Sequence, residues 1–301
     1  MHLRITLIIS FCLAQFVGQC QSPADWWYFG DLAGIHFTPS GPVADTNGAI
    51  STNEGCASIS DNGGNLLFYT DGTTVYNNQH SVMPNGTGLL GNPSSSQSAI
   101  IVPRPGIPSQ YFIFTVSGFF PAEMNYSLVD MTLDGGLGDV VTAEKNILLF
   151  AGVGENVCAV SHANGNKFWI LSHLQNSADI VAFEVSTSGV NLTPVISNTI
   201  ESIDALVGSI KGSPDGNYIA YASETGFGPL GKIKLMDFDN STGQITSTLT
   251  WSSPFVTGPY GAEFSADSKL LYVSDGWGST TNSIVQYDIT NYNLAAIQAS
   301  E

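Results

Sequence analysis

The chain has 301 residues, with 8 Lys and Arg against 25 Asp and Glu and a formal net charge of −17. At 43% hydrophobic and 11% aromatic it is too apolar for a disordered acidic tail, and its shortage of basic residues excludes a nucleic-acid surface or a polybasic membrane patch. The room left by charges is filled by 32 Gly and by Ser, Thr and Asn between short apolar runs, which reads as an all-β chain.

Residues 1–20 read as an export signal. Arg4 gives a positive start, 5–17 is mostly apolar, and Gly18 and Cys20 are small residues where a signal peptidase inspects the chain. That stretch is too short to span a membrane, and no later segment approaches 18 apolar residues. A secreted chain, extracellular or on the outer cell surface and without a membrane span, is expected, forming one propeller domain over 21–301. Its remaining cysteines, Cys56 and Cys158, each sit in a short apolar run and are expected as buried thiols rather than a disulfide.

Strand candidates follow at 26–29 and 34–37, then a strand, turn, strand unit at 56–60, 61–65 and 66–70. A second unit runs 99–102, 103–110 and 111–116, with a longer Pro-containing turn. Three more keep a fixed step: their turn-opening serines are Ser161, Ser213 and Ser265, 52 residues apart each time. A second landmark, an apolar residue before a turn, falls at Leu133, Val185, Phe238 and Ile289, spaced 52, 53 and 51. A unit near 50 residues, built of about four short strands and tight turns, is the signature of a β-propeller blade. Five blades are recognisable, near 52–91, 95–140, 155–192, 206–246 and 259–298. The strands in 26–50 belong to none of them, so the expectation is the front of a longer propeller of six or seven blades, or an open one.

The N-terminal half carries more specific signatures. Trp27-Tyr28-Phe29-Gly30 precedes Glu54-Gly55-Cys56-Ala57-Ser58, Gly64-Asn65-Leu66-Leu67-Phe68-Tyr69-Thr70-Asp71-Gly72, Met83-Pro84-Asn85-Gly86 and Gln97-Ser98-Ala99-Ile100-Ile101-Val102-Pro103. Together these resemble the propeller-like N-terminal region of large secreted Bacteroidetes surface proteins, many of which end in a gliding-motility-associated sorting domain read by the type IX secretion system. The resemblance covers 26–115 and implies a propeller fold and a surface location; it brings no catalytic residues. Downstream immunoglobulin-like or PKD-like repeats and a sorting domain are not found in this sequence, so a route of export and a part in gliding rest on kinship.

In a propeller the loops between second and third strands gather around one mouth of the central channel. Here they begin at Asp71, His173, Glu224 with Phe227, and Asp275 with Trp277, while Glu54 and Glu155 lie at the starts of innermost strands on that side. Carboxylates, an imidazole and two aromatics converging there suit a glycan or protein ligand or a structural Ca2+. The alternative is that Asp and Ser at strand ends bond only their own turns. The run Asp237-Phe238-Asp239-Asn240-Ser241-Thr242-Gly243 alternates oxygen ligands as a calcium loop does, but it lacks the distal Glu and coincides with a hairpin turn. No serine elbow, HExxH, phosphate loop or paired-cysteine site occurs. The expectation is an exported, non-enzymatic recognition or scaffold propeller without catalytic residues, cofactor or metal centre. The second reading is a metal-dependent, lactonase-like propeller hydrolase, since Ser213-Pro214-Asp215-Gly216 and Leu270-Leu271-Tyr272-Val273-Ser274 resemble lactonase repeats. It would use Glu54, Glu155, Glu224, Glu263 and Asp275, and it requires three of their oxygens within reach of one ion.

Overall fold

The computed structural model describes residues 22–118, 122–203, 207–224, 231–255, 257–276 and 283–301. They form six antiparallel sheets, the blades of a six-bladed β-propeller. Blade 1 is β1 (Trp26–Phe29), β2 (Ala33–Thr38) and β3 (Gly41–Asp45). Blade 2 is β4 (Ala57–Ser60), β5 (Leu66–Thr70), β6 (Thr74–Asn77) and β7 (Val82–Thr87). Blade 3 holds β8 (Ala99–Pro103), β9 (Gln110–Val116), β10 (Ala122–Asp130), β11 (Asp139–Val140) and β12 (Ile147–Val153). Blade 4 holds β13 (Cys158–Ser161), β14 (Phe168–His173), β15 (Ser177–Ser186), β16 (Gly189–Val190) and β17 (Val195–Ile203). Blade 5 is β18 (Val207–Gly212), β19 (Tyr218–Glu224), β20 (Lys232–Asp239) and β21 (Gln244–Ser252). Blade 6 is β22 (Pro259–Phe264), β23 (Leu270–Asp275) and β24 (Ile284–Asp288), followed by a short helix, α1 (Leu294–Ala299). No described helix is long and apolar enough to cross a membrane.

The five expected blades are blades 2 to 6, and the strands of 26–50 are not orphans but a first blade of their own. Blades 3 and 4 run further than their sequence boundaries, because β12 pairs with β10 and β17 pairs with β15 outside the repeating units. The repeating turn has a local cause. Ser213 Oγ donates to Asp215 and accepts from the Tyr218 N–H, and Ser265 does the same with Asp267 and Leu270. Such Ser and Asp side chains replace the backbone partners that a tight turn leaves unsatisfied. The calcium-like run is likewise a turn between β20 and β21, with Asp239 accepting from the Ser241 N–H and hydroxyl.

Alternating strands give each sheet two apolar faces, and the core lies between blades in series. Phe68, Val75 and Met83 meet Ile101, Tyr111 and Ile113 between blades 2 and 3. Phe112, Phe114 and Tyr126 meet Ile170, Val181 and Phe183 between blades 3 and 4. Cys158, Trp169 and Leu171 meet Ile210, Ile219 and Met236 between blades 4 and 5, and Leu235 and Trp251 meet Leu271, Val273 and Tyr287 between blades 5 and 6. The cluster between blades 1 and 2 is smaller: Tyr28, Ile50, Leu66 and Tyr69. Among the described residues no such cluster joins blade 6 to blade 1. Cys56 and Cys158 are free thiols rather than a disulfide; Cys158 is buried as its apolar run predicts, whereas Cys56 is only half-buried.

Candidate functional site

The innermost strands β4, β8, β13, β18 and β22 start at the same end of the propeller, and the loop of residues 92–98 crosses that end. Pro93 and Ser95 carbonyls accept from the Glu54 and Gly55 N–H groups ahead of β4. Ser98 bonds Val116 of blade 3, and the Gln97 N–H donates to the Glu155 carbonyl ahead of β13. The Gln97 side-chain amide then does what a neighbouring strand would do. Its Nε2 donates to the Ile210 carbonyl at 3.0 Å and its Oε1 accepts from the Ile210 N–H at 2.8 Å, both on β18. Ser96 Oγ accepts from the Gly208 N–H and lies 3.1 Å from the Tyr260 hydroxyl of β22. One loop therefore ties five blades together across the mouth. It is packed without spare room, since a Cβ on Gly55 would stand 2.0 Å from the Ser98 nitrogen.

Two of the sequence candidates meet here. The Tyr260 hydroxyl donates to Glu54 Oε2 at 2.9 Å. Burial foremost, with the Glu54 hydrogen bond and the charges of Glu54 and Glu155, pushes this phenol well above its usual range, so it stays a protonated donor. Glu54 is exposed while Glu155 is buried. Beside them a cavity of about 420 Å³ is lined by Glu54 to Ser58, Ser96, Gln97, Ala99 to Ile101 and Val157. A second cavity of about 340 Å³ is lined by Trp27, Tyr28 and Phe29 of β1 and again by Cys56, Ala57 and Ser58. The two cavities share β4 as a wall. Trp27 is 51% exposed and Phe29 38%, because Tyr28 between them turns the other way and stacks on Tyr69 at 4.4 Å.

The other candidates are placed differently. Asp71 is buried in its own turn, its Oδ1 accepting from Thr73 and Thr74, the structural role open to any strand-end Asp. His173 does not reach the mouth surface; it is fully buried between blades 4 and 5, because it shares a strand face with Trp169 and Leu171. Glu224 is buried against blade 6, where a Cβ on Gly276 would come 2.5 Å from its Oε2. Asp275 lies at the end of β23 opposite Pro259, and Glu263 pairs with Lys211 at 2.7 Å. Phe227 and Trp277 lie outside the described residues. Among the described residues no three His, Cys, Asp or Glu side chains come close enough to hold a metal ion, so the five carboxylates of the hydrolase reading do not gather around one point. Sequence reasoning missed Tyr260, Ser96, Gln97 and the exposed Trp27. Tyr260, Ser96 and Gln97 reveal themselves only through partners more than 100 residues away, and although Gln97 and Trp27 both stand in the N-terminal signatures, nothing there shows which way either side chain points.

This is a β-propeller with a looped-over mouth flanked by an aromatic and an acidic cavity. No family model matches the chain, and no curated protein does. Among solved structures it is similar to a Bacteroides uniformis protein provisionally named a 6-phosphogluconolactonase, with 16% identity over 87% of this chain and 75% of that one and a TM-score of 0.52. A Bacteroides fragilis protein of the same provisional name has 14% identity over 89% and 74%, with a TM-score of 0.51. At these identities the likeness is one of fold.

Proposed function

We propose that the chain is an exported, non-enzymatic recognition propeller that binds a neutral or amine-bearing glycan at this mouth. The observation that carries the reading is the pair of cavities on either side of β4, one presenting the half-exposed Trp27 and Phe29, the other Glu54, Ser96 and Gln97. A sugar offers a C–H face that stacks on an indole and hydroxyls that bond carboxylates and amides. Among the described residues no Lys or Arg lines either cavity and the one charged lining side chain is Glu54, so an acidic sugar meets a like charge and no compensating cation there. The signal-like 1–20 and the kinship with Bacteroidetes surface proteins support placement outside the cell or on its outer surface, in the company of proteins that use the type IX route.

The test is calorimetric titration of the full chain with neutral, amine-bearing and uronic-acid oligosaccharides, beside the Trp27→Ala variant. Binding of the first two classes, weakened at least tenfold by Trp27→Ala and absent for the acids, is expected. No binding to any class leaves a spacer role and removes the recognition reading. N-terminal sequencing of the protein recovered from culture medium or the cell surface tests export, with a start near residue 21 expected and an intact Met1 contradicting it.

A further inference from the structure

Carboxylates of this chain that meet a cation are spent on it. Glu184 pairs with Lys167 at 2.9 Å, Glu263 with Lys211 at 2.7 Å and Asp267 with Lys269 at 3.3 Å. Glu54 differs: among the described residues it pairs with no Lys, Arg or His, and a phenol holds its side chain instead. It is also the one charged side chain lining the cavity of about 420 Å³ beside the mouth. Its backbone is fixed by the bond from its N–H to the Pro93 carbonyl. An exposed glutamate side chain left to itself samples many rotamers, and freezing one of them costs a ligand affinity.

Tyr260 removes that freedom from the far side of the mouth, and a local irregularity aims it there. Pro259 lies opposite Asp275 and Ala262 opposite Val273, so Tyr260 and Gly261 together face the single residue Ser274. This is a β-bulge in β22, and a bulge re-aims a side chain that regular alternation would send elsewhere. The Tyr260 hydroxyl then meets Glu54 Oε2 at 2.9 Å and Ser96 Oγ at 3.1 Å. One phenol proton faces both acceptors, and the carboxylate, nearer and charged, is the stronger of the two. Ser96 is itself held by the Gly208 N–H at 3.1 Å. The supports stand in series: Gly208 of blade 5 fixes Ser96, Ser96 flanks the phenol of blade 6, and the phenol fixes the carboxylate ahead of blade 2. Tyr260 does not line the cavity, so it reaches a ligand there only through Glu54.

We propose that Tyr260 is the positioning residue of this site and that the carboxylate it sets selects an amine-bearing sugar over its neutral counterpart, an assignment that rests on the glycan reading above. With Oε2 on the phenol, Oε1 is the oxygen left for a ligand. An ammonium group brings the missing cation and three donors, and hydrogen bonds between charged partners are about twice as strong as neutral ones. A sugar hydroxyl in the same place brings one neutral donor. Without the phenol the carboxylate keeps its charge but turns freely into solvent, and the discrimination between the two sugars shrinks.

The test is titration of the full chain, of Tyr260→Phe, of Glu54→Ala and of the double variant with β-1,4-linked tetramers of glucosamine and of glucose. Salt at about 0.15 M screens the general pull of an acidic chain on an amine. Beside it, the 13Cζ resonance of Tyr260, assigned by its loss in Tyr260→Phe, is followed without ligand. The parent chain is expected to bind the glucosamine tetramer about fivefold or more tightly than the glucose tetramer. That ratio should fall to about two or less in Tyr260→Phe and to about one in Glu54→Ala, with no further change in the double variant. The 13Cζ resonance should move upfield in Glu54→Ala as the phenol loses its charged acceptor. A merely structural Tyr260 would lower both affinities and keep their ratio. A ratio kept in Tyr260→Phe, a parent chain that does not discriminate, or an unmoved 13Cζ resonance would overturn the proposal and leave the glycan reading standing. Binding of neither tetramer would overturn it too, with the glycan reading then decided by the wider series of oligosaccharides.

Discussion

Blade 1 and blades 2 to 6 are held to the molecule in different ways. The five later blades meet over broad aliphatic and aromatic clusters, and the loop of residues 92–98 laces all five from within. Blade 1 meets blade 2 through a small cluster with polar tips. Tyr28 donates to Asp45, and the Tyr69 hydroxyl accepts from the Ala49 N–H and shares a hydrogen bond with His80. Exposed aliphatic side chains are spread over several blades, but among the described residues the exposed large aromatic ones, Trp27 and Phe29, both lie in blade 1. The contrast teaches a division of labour: the laced blades give a rigid frame, and the loosely held first blade presents the aromatic surface.

The largest effect expected from breaking the lace is at Gly55. A Gly55→Ala methyl group would collide with the Ser98 backbone, which cannot swing aside as a flexible side chain can, so a loss of about 3 kcal/mol or more is expected in urea unfolding. Gln97→Ala removes both bonds to Ile210 and leaves a backbone N–H and carbonyl of β18 without them. About 2 to 3 kcal/mol is expected from the same measurement, with a double-mutant cycle against Ser96→Ala showing coupling.

Acid should act on the frame through His173. Its pKa is about 4 when folded against 6.5 for the free side chain, so the unfolded chain binds the proton more readily. Its contribution is therefore complete above pH 6.5 and is lost as pH falls toward 4, amounting to about 3 kcal/mol over that window. Denaturant midpoints measured from pH 7 to 4 should fall more shallowly in His173→Phe than in the parent chain. The smallest stability effect is expected at Trp27. Trp27→Ala removes a side chain that is half in solvent and packs edge-on against Phe37, so it should cost about 1 kcal/mol while weakening ligand binding at least tenfold, as read by melting and titration side by side.

The repeating frame was legible because its determinants are local. Ser213 and Asp215 bond within two residues of each other, and the same spacing at Ser265 and Asp267 exposes the period directly. What was not legible depends on distant partners. Blade 1 has no repeat signature, and Tyr28 is held by distant partners, Asp45 and Tyr69, the latter forty-one residues on. The strands β12 and β17 are set by pairing with β10 and β15 rather than by periodic turns. At the site, the positions of Glu54 and Glu155 followed from strand starts, whereas Tyr260 and Gln97 act across 206 and 113 residues. His173 was read as facing the mouth because strand ends alone do not say which face a side chain takes. Here one face packs on blade 5, and His173 goes with it.

Amide hydrogen exchange of the full chain, with and without a bound oligosaccharide, separates a loosely held, ligand-binding first blade from a rigid laced frame. Without ligand the amides of β1 to β3 should exchange faster than the laced amides of Gln97 and Ile210, and ligand should slow exchange at 26–29 and 56–58 while leaving the frame unchanged. Equal protection of blade 1 and the frame in the free protein, or ligand protection confined to segments away from β1 and β4, would contradict it.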